Sequence, residues 1–389
     1  MNLGKFRYQQ TMLRMQKVMR REQPDKVPVL ANIYGWAVQY YGYSMLDIYR
    51  DKPELGFELF TRLADDFRFD GFFDLNTSIP FPMLDPLGGE GNYRLTEEGL
   101  QVCNHSSRLM NDDEYDLLIK NPEDFLQEAI IPRKFPVLSG KDGSFEALKE
   151  SLEKFRWFQT RRAPVTRQIE NHGIPILGDG QIHLAIDFIM DFFRDFTGII
   201  SDIRRQPEKV KEACRVLQNS LIDANIKTYV SRNDAHFIFV PMHLASYLRP
   251  KDFAEFYFPL LKNLCEVVVN DYGYNLGLFM EGCWEPYYDI LQDLPDNEGN
   301  LIGLLEKGDF KKFKSELGHK MCIAGGMPAG MLAFSSKEEC VEYSRVLLDD
   351  CMPGGGYVFG FDKPLLALSD AKPENVKAVF EFVNEYGRY

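Results

Sequence analysis

The sequence predicts an α/β protein built as a (β/α)₈ TIM barrel, and three observations carry that prediction. Short apolar runs alternate with helical segments along the 389 residues. The runs are rich in Val, Ile, Leu and Phe without polar alternation, as in parallel strands buried on both faces. There are eight of them, which suits a closed barrel. The main alternative, an open doubly wound sheet, lacks the Gly-x-Gly-x-x-Gly that would follow its first strand.

The predicted strands share this apolar character and are bounded by turn residues. They are Val27–Ile33, Asp70–Leu75, Ile174–Gly178, His236–Val240, Asn275–Glu281, Leu301–Leu305, Lys320–Gly325 and Gly356–Phe361.

Start and stop signals mark the helices between the strands. Pro250 opens one helix and Gly273 closes it, and Ser336 precedes another as an N-cap with acidic residues behind it. The segment from Asp370 to Glu374 is expected to cap the last helix.

A stretch of about a hundred residues between the second and third strands departs from the alternation. Asn92–Thr96 and Gln101–His105 predict a β-hairpin. An acidic helical segment, Asp112–Glu128, follows, and then an amphipathic helix near Ser144–Arg162 that Pro164 should end. We therefore predict one domain over residues 1–389, with a cap or insertion at about 76–173 between strands 2 and 3.

Composition and charge exclude several functional classes. Lys and Arg total 45 against 58 Asp and Glu, a net charge of −13 that disfavours nucleic acid and anionic membrane surfaces. Seven Cys without a Cys-x-x-Cys, and no secretory signal or apolar run of ~20 residues, predict a reduced cytoplasmic protein. Aromatic residues reach 13% and indicate a large core.

In a barrel the functional site forms where the strands end at their C-terminal side. The polar or otherwise noteworthy residues that follow the predicted strands are Asn32, Tyr34, Asp74, Asn76, Asp85, Asp179, Gln181, His183, His243, Glu281, Cys283, Glu285, Glu306, Met327 and Asp362.

Among these, Glu281 and Cys283 make the sharpest cluster because they end a buried strand two residues apart. A carboxylate and a thiolate are plausible Zn²⁺ ligands, with a histidine such as His243 as the third. The alternative reading makes Cys283 a small apolar residue and His243 a structural one. The Gly-rich turn before His183 can face a ligand through Asp179, or Asp179 can act as a helix N-cap.

Several segments together resemble the uroporphyrinogen decarboxylase superfamily. They are MLRMQKVMRREQPDKVPVLANIYG, Phe69-Asp70-Gly71-Phe72, LRPKDFAEFYFPLLKNL, KMCIAGGMPAGMLAFSSKEECVEY and GGGYVFGFDKPLLALSDAKPENVKAVFEFVNEYGRY. The resemblance spans about residues 12–389 and implies the same barrel that the strand count predicts.

The superfamily contains two chemistries. Its porphyrinogen decarboxylases carry arginines after the first strand to hold substrate carboxylates, whereas this chain has Asn32-Ile33-Tyr34-Gly35-Trp36-Ala37-Val38-Gln39-Tyr40-Tyr41 there. The other branch consists of corrinoid-dependent methyltransferases, several of which bind zinc through His-x-Cys and a later Cys. Here Glu281-x-Cys283 stands at the first position and Asp362 at the second.

The resemblance therefore implies a methyltransferase that moves a methyl group between a small methylated substrate and a corrinoid (cobalamin) held by a separate protein. The alternatives are a decarboxylase acting on a non-porphyrin substrate and a non-catalytic ligand-binding barrel. Catalysis is assigned to Glu281, His243 and Asp179, and a possible zinc site to Glu281, Cys283, His243 and Asp362. The expected substrate contacts are Asn32, Tyr34, Trp36, His183, Trp284 and Met327.

Overall fold

The computed structural model describes residues 3–74, 80–88, 93–97, 99–102, 108–139, 144–227 and 234–389. Its strands are β1 (Leu30–Ala31), β2 (Gly71–Phe72), β3 (Tyr93–Thr96), β4 (Gly99–Val102), β5 (Gly178–Gln181), β6 (Phe237–Met242), β7 (Asn275–Cys283), β8 (Leu301–Lys307), β9 (Cys322–Met327) and β10 (Tyr357–Phe361). Each predicted barrel strand overlaps or adjoins one of them.

The eight barrel strands form a ring of parallel neighbours. β5 to β10 make one sheet in sequence order, and β1 pairs with β2. Two parallel bridges close the ring, because Phe72 of β2 pairs with Ile176 ahead of β5, and Val29 ahead of β1 pairs with Phe359 of β10. Hence the order around the barrel is β1-β2-β5-β6-β7-β8-β9-β10. The fold is the predicted (β/α)₈ TIM barrel.

Helices make up most of the described chain outside this ring, and the first of them packs against side chains of the barrel interior. Their bounds are Leu3–Met19, Gly35–Tyr40, Leu55–Phe67, Phe81–Leu84, Tyr115–Lys120, Pro122–Phe125, Ile131–Lys134, Ser144–His172, Ala185–Ile189, Asp195–Arg205, Pro207–Ile226, Pro250–Asp252, Phe258–Leu264, Tyr288–Leu291, Phe310–Leu317, Ala329–Phe334, Lys337–Cys351 and Pro373–Tyr386. Segments of π-helix join several of these helices end to end. They include Met190–Arg194, Phe253–Tyr257 and Cys265–Asp271.

Two predicted helix signals are confirmed, and the cap of the last helix lies within the predicted segment, though not at Asp370. Ser336 and Glu339 form a reciprocal capping box at the start of Lys337–Cys351. Gly273 comes just after the continuous helical segment that begins at Pro250, and its φ is +72°. Asp370 does not cap the last helix, since its carboxylate accepts from the Leu366 and Ala367 amides and Lys372 takes the cap position.

A hairpin of β3 and β4 overlaps the predicted one, with Thr96 opposite Gly99. Asn92 and residues 103–105 of the predicted strands lie outside the described part of the chain. The prediction that Pro164 ends the following helix is wrong, because one helix runs from Ser144 to His172. Pro164 costs this helix one backbone hydrogen bond, but the burial of Val165 and Ile169 beyond it keeps the chain helical. The second half of this helix packs on Leu55–Phe67 as a barrel helix.

None of the helices in the described part of the chain is long and apolar enough to span a membrane. The aromatic residues fill the interior, and Trp36, Trp284, Tyr257 and Phe72 are among its fully buried side chains. Cys214, Cys265, Cys322, Cys340 and Cys351 are buried free thiols, and Cys283 is exposed.

Candidate active site

The candidate site lies at the barrel mouth, the end where the C-terminal ends of the strands meet. His243 follows β6, and Glu281 lies near the end of β7. Because β6 and β7 pair side by side, with Met242 opposite Met280, the two side chains come together. The Nε2 of His243 lies 3.5 Å from Glu281 Oε1.

Asp191 holds the other nitrogen of the same ring. His243 Nδ1 donates to Asp191 Oδ2 at 2.8 Å, so the imidazole is flanked by two carboxylates. Burial by itself would lower the pKa of His243. The hydrogen bond to Asp191 and the negative charges of Asp191, Glu281 and Asp187 outweigh burial and raise the pKa to about 9, from an ordinary 6.5. His243 is therefore a cation at neutral pH.

A fully buried carboxylate anchors the loop that carries His243. Asp187 Oδ1 accepts from the backbone amides of His243 (3.2 Å) and Leu244 (2.8 Å), and Asp187 Oδ2 accepts from Tyr257 Oη at 2.6 Å. Burial raises the pKa of Asp187 to about 7, against the lowering effects of His243 and these hydrogen bonds. The anchor fixes the backbone of His243, so that Asp191 can set the ring's orientation.

A second histidine in the mouth, His183, is neutral where His243 is charged. Burial lowers the pKa of His183 to about 4, and the positive charge of His243 also contributes. The His183 ring packs edge-on against Phe188 and Phe192, and its Nε2 lies 3.0 Å from Gln181 Nε2. The site therefore pairs a charged histidine with a neutral one, the pattern of an acid beside a polar binding group.

A strained turn positions Glu281. Gly282 has a φ of +75°, and a Cβ there would come within 2.4 Å of Ser246 Oγ, so only glycine fits. Its amide donates to Glu306 Oε2 at 2.7 Å, and Trp284 Nε1 donates to the Glu281 carbonyl at 2.9 Å. Burial raises the pKa of Glu281, His243 lowers it, and nearby Glu306 and Asp191 raise it further.

His243 and Glu281 lie together, but the four predicted zinc ligands do not form one group among the described residues. Cys283 is exposed and lies near Tyr287 and Tyr288. Asp362 Oδ1 accepts from the Ala329 amide at 2.9 Å. Within the described ranges, no three His, Cys, Asp or Glu side chains are grouped so that they could hold a metal ion. The donor set therefore does not fit a zinc centre, which needs at least three protein ligands.

The predicted substrate contacts fall into two groups. Trp36 and Met327 are fully buried; Trp36 Nε1 donates to the Ala371 carbonyl and Met327 Sδ accepts from Ser344 Oγ. Trp284 is likewise buried, and all three pack in the core, so their contact with a substrate stays a prediction. Asn32 and Tyr34 follow β1 at the mouth. The Oδ1 of Asn32 is buried and finds no hydrogen-bond partner among the described residues.

Three other residues that follow predicted strands, Asp179, Asn76 and Asp85, are not seen to join the site. Asp179 lies in β5, but its side chain is outside the described part, as is all of Asn76. Asp85 pairs with Arg50 at 2.6 Å, as a surface ion pair.

Sequence reasoning found His243 and Glu281 but missed Asp187, Asp191 and Tyr257. All three lie in or just beside two aromatic-rich segments, Phe188–Phe196 and Phe253–Phe258, whose helical spacing of aromatic residues is typical of core packing. The available signal was that Asp187 and Asp191 are four residues apart, on one face of an apolar helix. A carboxylate on such a face needs a buried partner.

The comparisons with known proteins agree with this fold. The family model for uroporphyrinogen decarboxylase (URO-D) matches residues 189–386, just over half of the chain. A methyltransferase from Methanosarcina mazei superposes with a TM-score of 0.59 at 16% identity, over 97% of this chain and 98% of that one. At that identity the likeness shows the fold.

Two curated relatives are both described as uroporphyrinogen decarboxylase. The protein of Chlorobium luteolum is 28% identical over 144 residues, covering 36% of this chain and 39% of the relative. That of Chlorobaculum parvum is 26% identical over 186 residues, covering 46% and 50%. The chain thus spans half or less of the length of these relatives. The family match contains Asp191, His243, Glu281 and Glu306, and by its extent this chain belongs to the uroporphyrinogen decarboxylase family.

Proposed function

We propose that this chain is a methyltransferase that moves a methyl group between a small methylated substrate and a corrinoid carried by a separate protein. The observation that carries the proposal is the imidazole of His243, held between Asp191 and Glu281 at the barrel mouth. The methyltransferase fold of the Methanosarcina mazei protein supports it.

Methyl transfer from an oxygen or nitrogen needs a proton donor beside the leaving heteroatom. When a methyl group leaves an oxygen or nitrogen, the bond between the methyl carbon and the heteroatom breaks and the electron pair stays on the heteroatom. An alkoxide or amide leaves poorly, so a proton must arrive as the bond breaks. His243 can deliver it from Nε2, the nitrogen that faces Glu281, and then recover a proton from solvent.

The neighbours of His243 determine whether it can do this. Asp191 keeps the proton on Nδ1 and orients Nε2 towards the mouth. Glu281 faces Nε2 and can accept a hydrogen bond from a bound substrate. A corrinoid supplied by the partner provides the methyl-accepting centre. Because three metal ligands are not gathered among the described residues, we assign no step to zinc.

The segment after β1 argues against a porphyrinogen as the substrate. Residues 32–41 contain neither Arg nor Lys. Eight carboxylates on one ligand would need cations around them, whereas the mouth carries Asp191, Glu281, Glu306 and Asp362. We therefore propose a small substrate.

Free cob(I)alamin can replace the missing partner in a direct test. The purified chain is mixed with it and with a panel of methyl ethers, methylamines and methyl thioethers, and formation of methylcobalamin is followed by absorbance. We expect turnover with at least one compound, reduced ~10²–10⁴-fold in His243→Gln. His319→Gln, at an exposed histidine, is the matched control and should behave like wild type. If no compound in the panel is demethylated, the proposal fails.

The second candidate is decarboxylation of a non-porphyrin substrate, favoured by the two relatives described as uroporphyrinogen decarboxylase. An imidazolium at the mouth can also protonate the carbanion left by loss of CO₂. Release of CO₂ without change in the cobalamin spectrum would support this candidate instead.

A further inference from the structure

Asn32 carries a buried amide oxygen that finds no hydrogen-bond donor among the residues that the structure describes. The residue is 6% exposed, and its Oδ1 is sealed from solvent. Its backbone is used by the fold, because its carbonyl accepts from the Leu365 amide at 2.9 Å. The buried amide of Asn375, by contrast, donates to the Leu332 carbonyl at 3.0 Å. Asn32 therefore keeps an acceptor that a donor from a ligand could use.

A small cavity lies against this amide. Asn32 lines it together with apolar side chains that include Leu30 of β1, Leu304 of β8 and Val358 of β10. The cavity leaves about 10 Å³ for the centre of a water-sized group, which is close to what a single water molecule needs. The cavity therefore admits one oxygen or nitrogen atom beside Asn32 Oδ1.

The cavity forms part of the floor of the barrel mouth. Leu30, Leu304 and Val358 belong to the cluster of side chains that fills the barrel interior. Side chains two residues apart on a strand point the same way, so Glu306 points inward one layer above Leu304. The Oε2 of Glu306 accepts from the Gly282 amide at 2.7 Å, directly beside Glu281. One layer of side chains thus separates the cavity from the level of the candidate active site.

Glycine keeps this cavity open. Gly360 of β10 lines it and lies outside the left-handed region of φ, so its backbone conformation does not require glycine. A Cβ at this position would come within 3.2 Å of the Leu30 carbonyl oxygen, at the wall of the cavity. Gly325 of β9 lines the same cavity, and a Cβ there would lie 3.2 Å from Leu304 Cδ1. Any side chain at these two positions would crowd the cavity.

The chemistry of the cavity selects a neutral hydrogen-bond donor. An ammonium group would lose its hydration among apolar walls for a single acceptor, which is costly. A carboxylate, an ether or a methyl group has no proton to give, so each would leave Asn32 Oδ1 unpaired. A hydroxyl group has the right size and donates one proton. In the free protein one water molecule suits the same position.

We propose that Asn32 binds a hydroxyl group of the methylated substrate at the floor of the mouth. The residue then sets specificity for methyl compounds that also carry a free hydroxyl, over analogues in which that hydroxyl is methylated or absent. Naming the ligand as the substrate rests on the proposed function, whereas recognition of a hydroxyl group does not.

Matched methyl ethers test this specificity. 3-Methoxypropan-1-ol carries the hydroxyl, 1-methoxybutane replaces it with a methyl group, and 1,3-dimethoxypropane offers only an acceptor. Each is titrated into the full-length chain by calorimetry. We expect the alcohol to bind at least ~10-fold more tightly than either ether. Asn32→Leu, which keeps a side chain of similar size, should remove this preference. Asn219→Leu, at an exposed position on the helix Pro207–Ile226, should keep it.

A second variant tests the cavity without changing the amide. Gly360→Ala places a methyl group at the cavity wall and should also remove the preference for the alcohol. Gly330→Ala is the matched control, because no atom lies within 4 Å of the added Cβ. A preference that survives in Asn32→Leu or in Gly360→Ala would overturn the inference, as would tighter binding of 1,3-dimethoxypropane than of the alcohol by wild type.

Two further measurements separate this role from a structural one. Without ligand, Asn32→Leu should melt at or above the wild-type temperature, because a buried unpaired acceptor has been removed; a clear drop would overturn the inference. A crystal structure of the complex should place the hydroxyl oxygen ~3 Å from Asn32 Oδ1, and a water molecule kept there with the hydroxyl elsewhere would overturn it too. A preference that depends on Asn32, without methyl transfer from any methoxy alcohol, would refute the proposed function alone.

Discussion

His243 Nδ1 lies 2.8 Å from Asp191 Oδ2, although 52 residues separate them in sequence. This hydrogen bond joins the helical segment after β5 to the loop after β6, and with Glu281 on β7 it joins three consecutive barrel strands. It makes His243 a cation in a half-buried place where burial alone would leave it neutral.

Removing the charge of Asp191 should change the titration of His243. In Asp191→Asn the pKa of His243 should fall by about 1–3 units, because a paired carboxylate supplies a shift of that size and burial then dominates. The titration can be followed by NMR of the imidazole protons. Asp293→Asn, at an exposed carboxylate, should leave the His243 titration unchanged. An unaltered pKa in Asp191→Asn would contradict the assigned contact.

The same pair should make stability depend on pH in a defined direction. The pKa of His243 is about 9 in the folded chain and 6.5 in an unfolded one. A raised pKa stabilises the fold fully below 6.5, and the effect is lost as pH rises through 9. Urea unfolding should show wild type more stable than His243→Gln by about 1–3 kcal/mol at pH 6, with the difference shrinking by pH 9.5. A constant difference would refute this linkage.

Tyr257 should stabilise the fold through the hydrogen bond that it donates to the buried carboxylate of Asp187. Tyr257→Phe leaves a buried carboxylate oxygen without its donor, so the free energy of unfolding should fall by about 1–3 kcal/mol. Tyr272→Phe is the control, since this ring is 51% exposed and its change should cost little. Equal effects in the two variants, measured by denaturant unfolding, would show that the Asp187 anchor contributes nothing special.

Gly282 offers a test of the turn that positions Glu281. Gly282→Ala adds a Cβ within 2.4 Å of Ser246 Oγ at a φ of +75°, so we expect a loss of about 2–4 kcal/mol from overpacking and backbone strain. Gly354→Ala has a similar φ of +81° with open space around it, and should lose only the strain of about 1 kcal/mol. Ser246→Gly should partly restore Gly282→Ala if the clash is real.

The barrel itself could be predicted from sequence, and the site only in part. Apolar runs such as Leu276–Met280 identify buried strands without any tertiary information, and strand ends indicate where His243 and Glu281 should lie. Asp191 could not be assigned, because its function depends on a partner 52 residues away.

The most direct measurement is the rate of cob(I)alamin methylation as a function of pH, in wild type and in His243→Gln. If His243 is the acid, the wild-type rate should decline as pH rises through about 9, and His243→Gln should lose ~10²–10⁴-fold at pH 7 and lack that decline. Equal rates with the same pH profile in both proteins would contradict the assignment of His243 as the acid.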